Sequence, residues 1–422
     1  MKNISKRDKQ HLWHPLTQHK LYPDMLAITT AKGCVLTDEA GKEYIDGIAS
    51  WYTCMYGHCN EKIVEKVQEQ LQILDQVVFS GFTHQPAVAL SEALIKMLPH
   101  NQNKLFFSDN GSTAVDIALK MALQYHDNRG DKRSVFLAFE NGFHGDTFGA
   151  MSVSGLSVYN GSFTDFSLAV ERIPIPTSAN LDATLNFLTQ RLQKNDIAAF
   201  IYEPLVQGAA AMQMYNAEHL APILELVSSH KVLTIADEVM TGFGKTGQFF
   251  ASDYIPIKPD MMCLSKALTA GMVPMAITTC TQDVFDAFYS DDLAKGLFHG
   301  HTYTANPIAC AAALAGIALL KSNKIQKKIQ RIQKWHQKFD VEIRTHPKVA
   351  HTRQTGIIYA LDLAVAMERY GDLRNKLFHH FMNHGVFLRP LGNTIYILAP
   401  YTISKKQMKK IYSAIQSALD LV

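Results

Sequence analysis

An α/β fold is what the sequence predicts: a large, mostly parallel sheet covered by helices, with a smaller α+β unit attached. Two observations carry that expectation. Short β-branched and aromatic runs without polar alternation recur through the middle of the chain, separated by helical patterns. Strands that are apolar throughout are buried on both faces, the condition of a parallel sheet between helices. Near residue 320 the pattern then changes to a basic amphipathic helix followed by shorter mixed elements.

Taken in order, "KLFF" (104–107) reads as a strand leading into a helix over 112–126. "SVFLAF" (134–139), "AAFIYEP" (198–204), "VLTIADE" (232–238), "MMCLS" (261–265) and "MAITT" (275–279) read as further buried strands. Residues 321–345, "KSNKIQKKIQRIQKWHQKFDVEIRT", predict a helix with one apolar stripe and a basic solvated face, and 404–421 predicts the last helix. The organisation expected is an N-terminal segment, 1–50, serving the smaller unit and the site. A large domain over 51–320 and the rest of the smaller unit over 321–422 complete it.

With 47% hydrophobic and 19% charged residues among 422, the chain has ample material for a core, and disorder is excluded. The 41 basic and 38 acidic residues are interspersed, which gives no nucleic-acid or membrane footprint and points to a small-molecule partner. The opening "MKNISKRDKQHLWHP" has no apolar stretch behind it, so a cytoplasmic location is expected. The six cysteines show no framework spacing, and "CMYGHCN" offers Cys54, His58 and Cys59 without the second ligand pair that a zinc site needs.

Several runs end in polar residues, among them Asn110, Glu140, Glu203 and Asp237, at the strand ends where open α/β sheets bind ligands. One basic residue, Lys266, stands inside the apolar stretch "MMCLSKALTAGMVPM". Desolvation lowers the pKa of such a lysine and makes a neutral, nucleophilic amine accessible, as Schiff-base chemistry requires. A snorkelling or paired lysine would also satisfy this stretch taken alone. Asp237 ends a buried strand before a glycine-rich turn, where a carboxylate can hold the protonated ring nitrogen of pyridoxal 5'-phosphate or simply cap the turn. In "SDNGSTAVDIALKMALQY", Gly111 and Ser112 open a helix whose amides and dipole suit a phosphate. Phe143, after another strand, can stack on a flat ring or fill a core. A nucleotide P-loop ending at Gly244, Lys245 and Thr246 is set aside because Val239 stands where its first glycine belongs.

Through "IADEVMTGFGKTG", "CLSKALTAG" and "HGHTYTANPIACAAA", the chain resembles the class III aminotransferases among the fold type I pyridoxal-phosphate enzymes, over essentially its whole length. The resemblance implies that Lys266 is the catalytic lysine that binds the cofactor, that Asp237 meets the ring nitrogen, and that Gly111 and Ser112 hold the phosphate. It further implies stacking by Phe143 and a Thr302 that reaches the phosphate of the other subunit, so that active sites are shared in a homodimer. On the substrate side it implies Trp51, Asp146, Gly300, Tyr396 and Arg389, the last binding a carboxylate. Glu203 matches a glutamate near the cofactor without an assigned step.

"HLWHPLTQ", "DGIASWYTCMYGH" and "FLRPLGNTIYILAPY" resemble more narrowly those members that aminate 8-amino-7-oxononanoate in biotin synthesis. The donor so implied is S-adenosylmethionine, with lysine, or a general ω-aminotransferase acting on a diamine or ω-amino acid, as the alternatives. The chain departs from that resemblance in having Leu16 and Phe143 where tyrosines are usual and Lys245 in place of an arginine. Two phenolic hydroxyls facing the donor are thereby lost.

Overall fold

A computed structural model describes residues 4–155, 161–369 and 371–422; the first three residues of the N-terminal segment lie outside the described residues. Seven strands form the main sheet in the order Gln102–Ser108, Ala276–Thr281, Met261–Leu264, Leu233–Asp237, Ile197–Tyr202, Val135–Phe139, Val170–Ile173. From Met261–Leu264 to Val170–Ile173 neighbouring strands run parallel, whereas Ala276–Thr281 is antiparallel to both of its neighbours. The sequence reading, which counts "MAITT" among the strands of a mostly parallel sheet, does not foresee this direction. Residues 265–275 hold only a short 3₁₀ turn, too little chain for the crossover that a parallel neighbour requires.

The strands alternate between two hydrophobic clusters, one on each face. Met261 and Cys263 join Ala114, Val115, Ile117 and Ala118 of the Gly111–Asn128 helix, while Met262 and Leu264 join the cluster that includes Leu90, Leu224 and Ala313 from helices on the other side. The edge strand Val170–Ile173 has no counterpart in the sequence reading. Glu171 and Arg172 interrupt its apolar run, as an edge position allows.

Smaller sheets complete the fold. Ile28–Lys32, Val35–Asp38 and Glu43–Asp46 pair antiparallel, and Val386–Phe387 adds to the last of them in parallel, which joins segments from the two ends of the chain. Val349–Thr355, Ile358–Leu363 and Thr394–Ile397 form a separate antiparallel sheet. The basic helix spans Asn323–Ile343 and buries Ile325, Ile329, Ile332, His336, Phe339 and Ile343 at helical spacing. It starts later than residue 321 because Ser322 leaves the preceding Pro307–Lys321 helix, caps the new one and bends the pair by 67°. No single helix among the described residues is long and apolar enough to cross a membrane.

Candidate active site

The strands deliver their following residues to one edge of the sheet. Asp237 closes Leu233–Asp237, Glu203 follows Ile197–Tyr202, Ser265 and Lys266 follow Met261–Leu264, and Asn110 follows Gln102–Ser108. A cavity of about 860 Å³ opens there, lined by Gly111, Ser112, Phe143, Asp146, Glu203, Asp237 and Lys266 together with Trp51, Tyr52 and Leu16. Segments remote in sequence are thus gathered where parallel sheets place their ligands.

Lys266 has a left-handed backbone (φ 50°), and its Nζ sits 5.2 Å from the centre of the Tyr52 ring. Burial holds its ammonium below the ordinary lysine range, with the carboxylates of Asp237 and Glu203 acting in the opposite sense. Asp237 is buried, and its Oδ2 lies 2.8 Å from Nδ1 of His144 while its Oδ1 accepts from the Val239 amide at 3.1 Å. The His144 Nε2 is buried without a hydrogen-bond partner among the described residues. Glu203 brackets two loops: its Oε1 accepts from the Phe143 amide and its Oε2 from the Gly208 amide, each at 2.9 Å. Burial, opposed by the His144 ring and by those amides, raises Glu203 to about 7.

The Gly111–Asn128 helix starts with Asn110 as its cap, whose Oδ1 accepts from the Thr113 amide at 3.1 Å. A Cβ on Gly111 would lie 2.8 Å from Cγ1 of Val239, so only glycine lets the helix start this close to the residues that follow Asp237. Ser112 Oγ accepts from the Thr147 amide at 2.9 Å and shares a hydrogen bond with Thr147 Oγ1 at 2.6 Å.

Trp51 and Tyr52 enter the cavity from a run of four left-handed residues, Ala49 (φ 49°), Ser50 (φ 45°), Trp51 (φ 68°) and Tyr52 (φ 72°). Asp46 secures that run by accepting from the Ile48 amide at 3.2 Å and from Ser50 Oγ at 2.9 Å, and it meets Nε2 of His58 at 2.8 Å. Burial disfavours the charged His58 ring, yet Asp46 and Cys54 push it up to about 10.

The class-III aminotransferase family profile matches residues 17–419. The chain belongs to the class III aminotransferases. Similar curated proteins include the adenosylmethionine-8-amino-7-oxononanoate aminotransferases of Synechococcus elongatus (42% identity over 97% of this chain and 98% of that one) and Helicobacter pylori (32% over 99% and 98%). Among solved structures, the enzyme of the same name from Methanocaldococcus jannaschii superposes with a TM-score of 0.93 at 30% identity, covering 99% of each chain. An amine transaminase from an uncultivated Pseudomonas species in its PLP-bound form gives 0.91 at 28% identity, over 97% of this chain and 98% of that one.

Class III aminotransferases are pyridoxal-phosphate enzymes, and the cavity fits that cofactor. A helix N-terminus kept open by Gly111 suits its phosphate, a buried carboxylate braced by His144 suits a protonated ring nitrogen, and a desolvated lysine suits its aldehyde. Not every residue expected at this aminotransferase's site lines the cavity. Arg389 is not a lining residue, but its guanidinium covers the Trp51 ring at 4.7 Å. Tyr396 is buried behind Tyr52, whose hydroxyl donates to the Tyr396 hydroxyl at 3.0 Å. Gly300 and Thr302 lie on an exposed loop outside the cavity, and the Thr302 carbonyl accepts from Gln76 Nε2 at 2.7 Å. On the same loop Phe298 and Tyr303 are exposed. The sequence reading assigns no role to His144. A histidine two residues beyond a glycine, after a strand parallel to the Asp237 strand, was the signal available.

Proposed function

We propose that this aminotransferase converts 8-amino-7-oxononanoate to 7,8-diaminononanoate with S-adenosylmethionine as amino donor, in the cytoplasm and as a homodimer. The 42% identity to the Synechococcus elongatus enzyme of that name, over nearly the full length of both chains, carries the reading. The exposed apolar residues around Thr302 support the dimer, in which Gly300 and Thr302 would serve the site of the partner subunit. The division into 1–50, 51–320 and 321–422 is proposed with it, supported by the sheet shared between Glu43–Asp46 and Val386–Phe387.

In this reading Gly111, Ser112 and the helix N-terminus hold the cofactor's phosphate, Phe143 flanks its ring, and Asp237, oriented by His144, keeps the ring nitrogen protonated. Pyridoxal phosphate, when bound, supplies an electron sink for the substrate carbon that loses its proton. Lys266, its amine accessible because burial depresses the ammonium, takes up that proton and returns it. Trp51 shapes the wall together with Tyr52, which Tyr396 backs from behind, Asp146 offers a carboxylate to the substrate's amine, and Arg389 meets the substrate's carboxylate. The second reading concerns the donor alone. Leu16 lines the cavity as an apolar side chain, and Phe143 brings no hydroxyl, which favours lysine as the rival to S-adenosylmethionine.

The test is a single half-reaction. Holoenzyme mixed with S-adenosylmethionine or with lysine is followed by the cofactor's absorbance, and conversion by S-adenosylmethionine alone is expected. Conversion by lysine alone replaces the donor, and silence with both, alongside conversion by an ω-amino acid or diamine, overturns the reading. Lys266→Ala abolishes turnover in the same assay while cofactor stays bound non-covalently; appreciable steady-state activity would refute the assigned role.

A further inference from the structure

We infer that Arg369 is a second contact for the substrate's carboxylate besides Arg389, its segment fastened to the turn that follows Arg389; the inference rests on the acceptor proposed above. Arg369 lines the same cavity as Lys266, together with Leu16, Trp51 and Leu391. Nothing in the family motifs points to it.

The segment before Arg369 is fastened to the turn that follows Arg389. Asn393 Nδ2 donates to the carbonyls of Leu363 and Val365, each at 3.0 Å, and the Leu363 amide donates to the Asn393 carbonyl at 3.0 Å. Gly392 has φ 63°, and a Cβ there would meet Met367 Sδ at 2.2 Å, so residues 363–367 lie directly on the turn. The turn directly after Arg389, whose guanidinium covers the Trp51 ring, therefore also supports the segment that leads to Arg369 in the cavity wall.

Charge gives the second argument. The cavity's lining includes Asp109, Asp146, Glu203 and Asp237, a poor environment for a substrate's carboxylate. The basic lining residues are His144, held by Asp237, Lys266, whose ammonium is disfavoured by burial, and Arg369. A guanidinium stays charged throughout the physiological range and presents a planar fork to a carboxylate. Arg369 thus brings a guanidinium to the cavity wall, and its recognition target is the carboxylate end of an amino or oxo acid.

The test compares an acid with its ester. Acceptor kinetics of holoenzyme are measured with 8-amino-7-oxononanoate and its methyl ester, for the parent, Arg369→Gln, Arg369→Lys and Arg389→Gln. Arg369→Gln is expected to raise KM for the acid about tenfold while kcat changes less than about twofold, and to cut the preference for acid over ester by a similar factor. Arg369→Lys restores part of that preference. An unchanged preference in Arg369→Gln, or an equal loss on acid and ester, overturns the inference. If the parent does not aminate 8-amino-7-oxononanoate, the acceptor reading falls, and the same acid–ester comparison on the carboxylate-bearing acceptor that it does use decides Arg369 separately.

Discussion

Lys245 is a fully buried lysine whose Nζ donates to the Gly242 carbonyl at 2.8 Å. Burial first, and then the nearby Lys266, depress it to about 7, against the pull of Glu238. The folded state therefore holds this proton less tightly than the unfolded chain, whose lysine titrates near 10.5. The resulting cost is complete below pH 7 and fades as pH rises toward 10.5; at about 1.4 kcal/mol per pKa unit it is of order 4–5 kcal/mol. Lys245→Met removes this cost but strands the Gly242 carbonyl, a loss of about 1–3 kcal/mol. The variant is expected to melt above the parent at pH 7, with the advantage shrinking by pH 10. An advantage equal at both pH values would refute the account. Asp237 has a different use. Asp237→Asn leaves a side chain of the same size on the cavity wall but no charge for the ring nitrogen, so turnover falls about a hundredfold or more while the melting temperature stays near the parent's. Near-parental turnover would show that the carboxylate is not needed.

At the scale of elements, the start of the Gly111–Asn128 helix is where fold and site meet. Gly111→Ala places a methyl against Val239, the neighbour of Asp237 by two residues, and pushes the first-turn amides away from the strand ends. Cofactor affinity is expected to drop at least about tenfold with the helix content unchanged, read by equilibrium dialysis and circular dichroism. Wild-type affinity would mean that the cradle tolerates a Cβ. The buried central strands were legible because continuous apolar runs have few alternatives to a doubly covered sheet, and this helix because its apolar residues recur at helical spacing. Lys266 and Asp237 were legible because a charge beside such runs needs a reason. The edge strand Val170–Ile173 was not, since a strand with Glu171 and Arg172 lacks any such run, and the direction of Ala276–Thr281 depends on the length of its connection rather than on its own residues. Arg369 stayed hidden because its position follows from the docking of residues 363–367 on a turn some twenty-five residues later in the chain. No periodicity in either segment reports that contact.

For the molecule as a whole, the exposed loop with Gly300 and Thr302 has a direct test. Lys266→Ala and Thr302→Arg are each expected to be inactive as pure dimers, but mixed dimers would hold one site with both residues intact. Random mixing then restores roughly a quarter of the parental activity, since half of the dimers are mixed and one site in each is whole. No recovery above the sum of the two variants would mean that Thr302 serves its own chain or no site at all. A last consequence follows from the left-handed run Ala49–Tyr52. Each of its side chains pays against the handedness of L-residues, by about 1–2 kcal/mol per residue, and Asp46, held by His58, is among the contacts that keep it in place. Its shape is borrowed from its surroundings. The wall that presents Trp51 and Tyr52 is therefore not portable: grafted by itself into another scaffold to transfer substrate preference, the segment relaxes to a right-handed turn and turns both rings away. A transplant needs at least Asp46 and His58 along with it if the rings are to keep lining a cavity.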